Sequence, residues 1–218
     1  MDENDEDWKA DFNRAVSGLH SMISAQVLKG IEEKIEEGDE EAEGMNVQAE
    51  FQRRLSVNGE TPHALENLYF GYMLMLSAVD VAKSRILSDC DADRIHADEA
   101  ALLKTILSSP LLENPSVKVA YQKLHDHAVK DEYSKSALWT ARMRTRDLMR
   151  IMNCVQCNKC RLHGKISVLG VSTALQVLLG RTGEGGDPTR IHRVELAALL
   201  TTLAKFSNAI KFCNRMTA

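Results

Sequence analysis

From Phe12 to Ile35 apolar residues recur at Val16, Leu19, Met22, Ile23, Val27, Leu28, Ile31 and Ile35. Steps of three and four gather them on one face, which predicts an amphipathic helix, the clearest in the chain. It runs into "EEKIEEGDEEAEG", a glutamate-rich stretch ended by glycines, which predicts a solvated acidic loop over 36–50. Further helical patterns span about Leu65 to Leu87, Ala97 to Leu107, Val117 to Met152, Lys159 to Leu179 and Ile191 to Phe212. All four prolines follow a capping residue, in Thr61-Pro62, Ser109-Pro110, Asn114-Pro115 and Asp187-Pro188, so each pair reads as a helix start. No alternating β pattern bounded by hairpin turns occurs, and "GRTGEGGDPTR" reads as a loop between helices that carries neither common phosphate-cradle motif. The expected fold is all-α, a helical bundle forming a single domain over 12–212. An acidic, disordered leader over 1–11 and a short tail over 213–218 are expected to flank it.

Composition adds limits rather than a function. A chain of 218 residues with 44% hydrophobic content can bury a sizeable core. The balance of 27 Lys+Arg against 31 Asp+Glu, a net charge of -4, argues against a general nucleic-acid binder. No apolar run approaches the ~18 residues of a membrane span, and the start "MDENDEDW" is acidic where a secretory signal is basic and then apolar.

Chemistry is concentrated in "RIMNCVQCNKCRLHGK", where Cys154, Cys157 and Cys160 fall at intervals of three with His163 three further on. An iron–sulfur cluster needs four soft thiolates, and the C-x3-C-P continuation of the ferredoxin pattern is missing. A zinc site needs His163 as fourth ligand on one short segment, whereas structural zinc sites gather ligand pairs from separate turns. A redox disulfide suits the spacing, since residues three apart on a helical turn have Cα atoms about 5 to 6 Å apart. Spacing leaves open whether Cys157 pairs with Cys154 or with Cys160. Between Arg142 and Lys165 lie seven cations opposed only by Asp147. Such surroundings, like a helix N-terminus, favour thiolate and hence exchange.

The remaining candidates are weaker. Cys90 and Cys213 are isolated and read as small buried hydrophobes. "ARMRTRDLMR" spaces arginines as a nucleic-acid stripe would, yet aromatic residues for base stacking are scarce. Asp89, Asp91 and Asp93 alternate as in a calcium loop, but Arg94 and Ala100 stand where glycine and glutamate are required. Ser17 and His20 in "FNRAVSGLH" form a polar pair within an apolar periodicity, which by itself reads as a core hydrogen bond.

Taken in order, "FNRAVSGLHSMIS", "NLYFGYMLMLSAV", "RIMNCVQCNKCRLHGK", "LGVSTALQVLL" and "ELAALLTTLAKFSNAIK" resemble the endoplasmic reticulum oxidoreductins, flavin-dependent thiol oxidases that reoxidise protein disulfide isomerase. The likeness covers about residues 12 to 212, and the cysteine segment follows that family's C-V-x-C-x-K-C-R-L-x-G-K pattern closely. It implies a helical fold holding FAD, with Cys157 and Cys160 as the disulfide beside the flavin. Cys157 would take electrons from a shuttle dithiol, Cys160 would pass them to the flavin, and molecular oxygen would leave as hydrogen peroxide. Cys154 would be a structural cysteine whose partner lies earlier in such proteins.

By the same resemblance Ser17, His20 and Arg54, with Arg53 as its neighbour, would contact the flavin nucleotide. A guanidinium grips a pyrophosphate bidentately. Where the family has a second arginine before "NLYF", Ala64 stands here with His63 beside it. The family's N-terminal part, with signal segment and shuttle pair, is not seen in the eleven residues before Phe12, so the chain is expected to be a C-terminal portion, a truncated gene model or a split subunit. The resemblance places it in the endoplasmic reticulum lumen and is compatible with peripheral membrane association. The alternatives are a non-catalytic metal or cluster module on the cysteine segment, or an inactive remnant of the oxidase.

Overall fold

The computed structural model describes residues 3–42, 44–55, 62–91, 96–113, 131–179 and 191–217. Among these there are seven α-helices and no strand, which makes the fold all-α. They are α1 (Glu3–Glu36), α2 (Val47–Leu55), α3 (Pro62–Asp91), α4 (Ala97–Leu107), α5 (Asp131–Asn153), α6 (Asn158–Leu179) and α7 (Arg193–Thr217). A short 3-10 helix, Pro110–Glu113, follows α4.

Local chemistry sets the ends. α1 starts at Glu3 rather than Phe12, so residues 3–11 of the stretch expected as a disordered leader are helical; their acidic sequence suits a helix N-terminus. At the other end Gly38 takes φ 78°, and the N–H groups of Gly38 and Asp39 donate to the carbonyls of Ile35 and Lys34. That double bond is a Schellman stop, which needs a residue tolerant of positive φ. Asn46 caps α2, accepting the Ala49 N–H on its side chain at 3.0 Å, so the expected acidic loop gives way to helix at Val47. Pro62 opens α3, as its fixed φ favours. Ser109-Pro110 opens only the 3-10 helix, and the pairs at 114–115 and 187–188 lie outside the described residues, as does the part over 117–130 of the helix expected from Val117 to Met152.

The bundle is built around α3 and α6. α1 packs mainly on α3, α6 mainly on α7 and α5, and α3 touches α6 and α7 in turn, while α2 lies on α1. From Ser167 onward α6 is buried almost all round. A helix apolar on every side belongs at the centre of a core or in a membrane. By length and hydropathy α6 passes as a membrane span, contrary to the expectation from the sequence, but 67% of that window is buried inside the bundle.

Close helix crossings depend on glycine. A Cβ on Gly18 would stand 2.1 Å from the Asn67 carbonyl oxygen at the α1–α3 contact. One on Gly170 would stand 2.6 Å from the Ala198 carbonyl and 2.2 Å from Thr202 Oγ1 where α6 meets α7. These contacts fix the two helices that carry the sequence-predicted site, α1 and α6, against the rest.

Candidate redox site

α5 and α6 form a hairpin whose turn is the cysteine segment. The N–H groups of Cys154 and Val155 donate to the carbonyls of Ile151 and Met152, unwinding the end of α5. Cys157 then starts α6: its carbonyl accepts the Arg161 N–H at 2.8 Å and its Sγ accepts the Cys160 N–H at 3.2 Å. Those are the two bonds of an N-cap, made here by sulfur instead of oxygen.

The pairing that spacing left open is made between Cys157 and Cys160, whose Cα atoms are 5.2 Å apart. Both are exposed. Cys154 is a free, exposed thiol that donates to the Arg150 carbonyl at 3.9 Å. Cys90 and Cys213 are buried in the core, as expected of isolated cysteines, and burial pushes the Cys213 thiol up to about 11. With two of the three clustered thiols joined, the four-ligand metal reading lacks its donors; among the described residues no three His, Cys, Asp or Glu side chains converge on a metal position. His163 is exposed on α6.

The setting is cationic. Arg142, Arg146 and Arg150 lie on the exposed side of α5, Arg150 meeting Asp147 at 3.4 Å, and Lys159 is exposed beside the disulfide. Arg161 Nη2 donates to Asn158 Oδ1 at 2.5 Å, tying the first turn of α6 together. Behind that turn, Lys205 of α7 donates from Nζ to the His163 carbonyl at 3.2 Å and to Ser167 Oγ at 3.0 Å. Desolvation lowers the Lys205 pKa. Sequence periodicity carries no sign of this lysine, because the chain separates it from the site by a whole helix.

Ser17 and His20 are exposed on α1, so the core hydrogen bond expected of an isolated pair is not what they form. Ser17 Oγ accepts from Asn67 Nδ2 of α3 at 3.1 Å, leaving its own proton to donate outward. Arg54 lies on α2 with its Nε donating to Glu50 Oε1 at 2.7 Å, while Arg53 grips the same carboxylate through Nε and Nη2. These bonds hold the Glu50 carboxyl at about 2, well below its usual 4.5. Leu28 and Ile31 of α1 join Glu50, Arg53 and Arg54 around a cleft of about 370 Å³. Glu50 went unremarked in the sequence, although its spacing of three and four before two arginines is a helical ion-pair signal. Ala64 is partly buried against the core and contributes no charge.

The class defined by these features is an all-helical protein that presents a two-cysteine disulfide at a helix N-terminus. Residues 3–213 match the family model for Endoplasmic Reticulum Oxidoreductin 1 (ERO1), and the chain belongs to that family. It is 30% identical to ERO1-like protein alpha of Homo sapiens over 226 residues, covering 93% of this chain and 45% of that protein. With endoplasmic reticulum oxidoreductin-2 of Arabidopsis thaliana the identity is 28%, covering 94% and 42% respectively. The chain thus spans less than half the length of these relatives. Among solved structures, Ero1p, described as a source of disulfide bonds for oxidative protein folding, aligns at a TM-score of 0.60 and 24% identity over 96% of this chain and 53% of that one. A mutant of S. cerevisiae Ero1p gives 0.59 at 23% identity, covering 96% and 56%. At these identities the structural likeness speaks to the fold.

Proposed function

We propose that this chain is the helical, flavin-binding part of a protein thiol oxidase that reoxidises protein disulfide isomerase in the endoplasmic reticulum lumen. The observation that carries the reading is the exposed Cys157–Cys160 disulfide at the start of α6, in a chain of the ERO1 family. A dithiol partner attacks Cys157 Sγ as thiolate, forming a mixed disulfide and releasing Cys160 as thiolate. The partner's second thiol then displaces Cys157, so the partner leaves oxidised and both cysteines of this chain are reduced. Cys160 sits in the first turn of α6, where the helix dipole favours an anion.

The donor set on α1 and α2 fits a flavin nucleotide. Ser17 and His20 offer a hydroxyl and an imidazole on an exposed face, and two guanidiniums share one carboxylate at the α2 cleft, leaving an excess positive charge for a pyrophosphate. When bound, FAD supplies the two-electron acceptor for the reduced cysteine pair, with molecular oxygen as final acceptor and hydrogen peroxide as product. Ser17 and His20 would hold the nucleotide and Arg54 its phosphates. The exposed position of the disulfide suits a protein partner, and no step requires nucleic acid or metal.

Protein purified after coexpression with any missing N-terminal part should carry flavin absorbance that bleaches without oxygen when reduced disulfide isomerase is added. Cys157→Ser and Cys160→Ser should keep the colour and lose the bleaching. A colourless protein containing stoichiometric zinc or iron would replace this reading with the metal module.

A further inference from the structure

The charge of this chain is strongly segregated. A protein of net charge -4 carries seven cations and one aspartate between Arg142 and Lys165, the segment that holds the disulfide. Arg142, Arg146, Arg150 and Cys154 follow one another at four-residue steps, so three guanidiniums form a single stripe along α5 that ends at the cysteine turn. The structure leaves that stripe exposed. Among the described residues Arg142 and Arg146 have no carboxylate partner, and Arg150 has only Asp147. The apolar side chains around it are uncovered too: Trp139 is 64% exposed, Ile151 57% and Leu162 59%. Trp139 lies on the arginine side of α5, and Ile151 and Leu162 flank the cysteine turn from either helix. Exposed arginines beside an exposed tryptophan are the residue types that dominate protein-docking energetics.

We propose that this face is the docking surface for the dithiol segment oxidised here, and that it selects segments acidic around their cysteines. The inference rests on the redox reading of Cys157–Cys160 and adds to it the charge of the substrate. Complementarity fixes the sign: the exposed Arg142, Arg146, Arg150 and Lys159 attract carboxylates and repel a basic chain, and such steering acts mostly on association rate. Ile151 and Leu162 hold the arriving segment at the sulfur once it is steered there.

The test compares oxidation rates, by the disulfide-form protein, of three peptides with one shared C-x-x-C core and acidic, neutral or basic flanks, with dithiothreitol as a small control that has no charged flanks. At about 0.05 M salt the acidic peptide should react at least about tenfold faster than the basic one, and at about 0.5 M the gap should close. Arg142→Glu with Arg146→Glu should invert the order and change the dithiothreitol rate far less than the rate of the acidic peptide. Arg142→Gln with Arg146→Gln should flatten it, which guards against a folding defect in the reversed variant. Equal rates for the three peptides, with dithiothreitol still reacting, overturn the docking surface alone. A disulfide inert to dithiothreitol overturns the redox reading and the docking surface together. A charge reversal that dissociates a dimer of this chain would assign the stripe to self-association and overturn the proposal.

Discussion

The backbone N–H of Cys160 donates to Cys157 Sγ at 3.2 Å, so the first cysteine of the pair is also the cap of the helix that carries the second. Reducing the disulfide removes the covalent link and leaves a sulfur still placed to accept that bond. Cys157→Ser should therefore preserve the start of α6 in reduced protein, whereas Cys157→Ala should cost about 1 kcal/mol, the usual loss when a cap is removed. Urea unfolding of the two variants under reducing conditions reads the difference. Equal midpoints would show that the sulfur bond contributes nothing to the helix start.

The helix crossings give a sharper contrast between two glycines. A Cβ at Gly170 would meet the Ala198 carbonyl, a backbone atom that cannot rotate away, and Gly170→Ala should destabilise by about 1 to 3 kcal/mol through overpacking. Gly30 lies inside α1, where a methyl group in place of its hydrogen would find nothing within 4 Å, so Gly30→Ala should stabilise by about 0.5 to 1 kcal/mol through helix propensity. Thermal unfolding of the pair checks both signs at once.

Those glycines mark where the sequence was and was not legible. Periodicity located α4 over its whole length and α7 within a few residues, because each has a face that must be buried, and α6 stood out as a long apolar stretch buried on nearly every side. It placed the start of α1 at Phe12, since a polar first segment has no apolar stripe to reveal it, and it left Val47–Leu55 partly as loop because α2 is short and charged. The cysteine segment was visible as a cluster, and its Cys157–Cys160 pairing was legible in the family resemblance but not in the spacing: intervals of three are identical, and what distinguishes Cys157 from Cys154 is that it caps α6 while Cys154 lies where α5 unwinds. The neighbours Asn67 and Lys205 come from distant helices and leave no local signal.

Glu50 supplies a pH-dependent prediction. Its folded pKa of about 2 lies below the 4.5 expected of an unfolded chain, because Arg53 and Arg54 hydrogen-bond its charged form. The unfolded chain thus binds the extra proton between these values, and the stabilisation is complete above about 4.5 and lost as the pH falls toward 2. Wild-type protein should lose stability through that window, and Glu50→Gln should be flatter across it. Urea midpoints from pH 6 down to about 2 decide the matter; parallel curves would show that the two arginines do not hold the carboxylate in solution.

Lys205 has the opposite sign. Its ammonium is half-buried against α6, and desolvation lowers its pKa below the usual 10.5. In the window just under 10.5 the unfolded chain holds the proton more tightly, so the charge opposes folding at neutral pH and the penalty fades as the pH rises. The His163 carbonyl also accepts the Ser167 hydroxyl at 2.9 Å, so removing the ammonium does not strand it. Lys205→Met should accordingly keep the fold and leave stability at pH 7 unchanged or higher by up to about 1 kcal/mol, allowing for solvent screening of a half-exposed charge. Its advantage over wild type should shrink as the pH approaches 10.5. A loss of more than about 2 kcal/mol at pH 7 would show that the bonds from α7 to His163 and Ser167 outweigh the cost of burying the charge, making Lys205 a clamp on the redox helix.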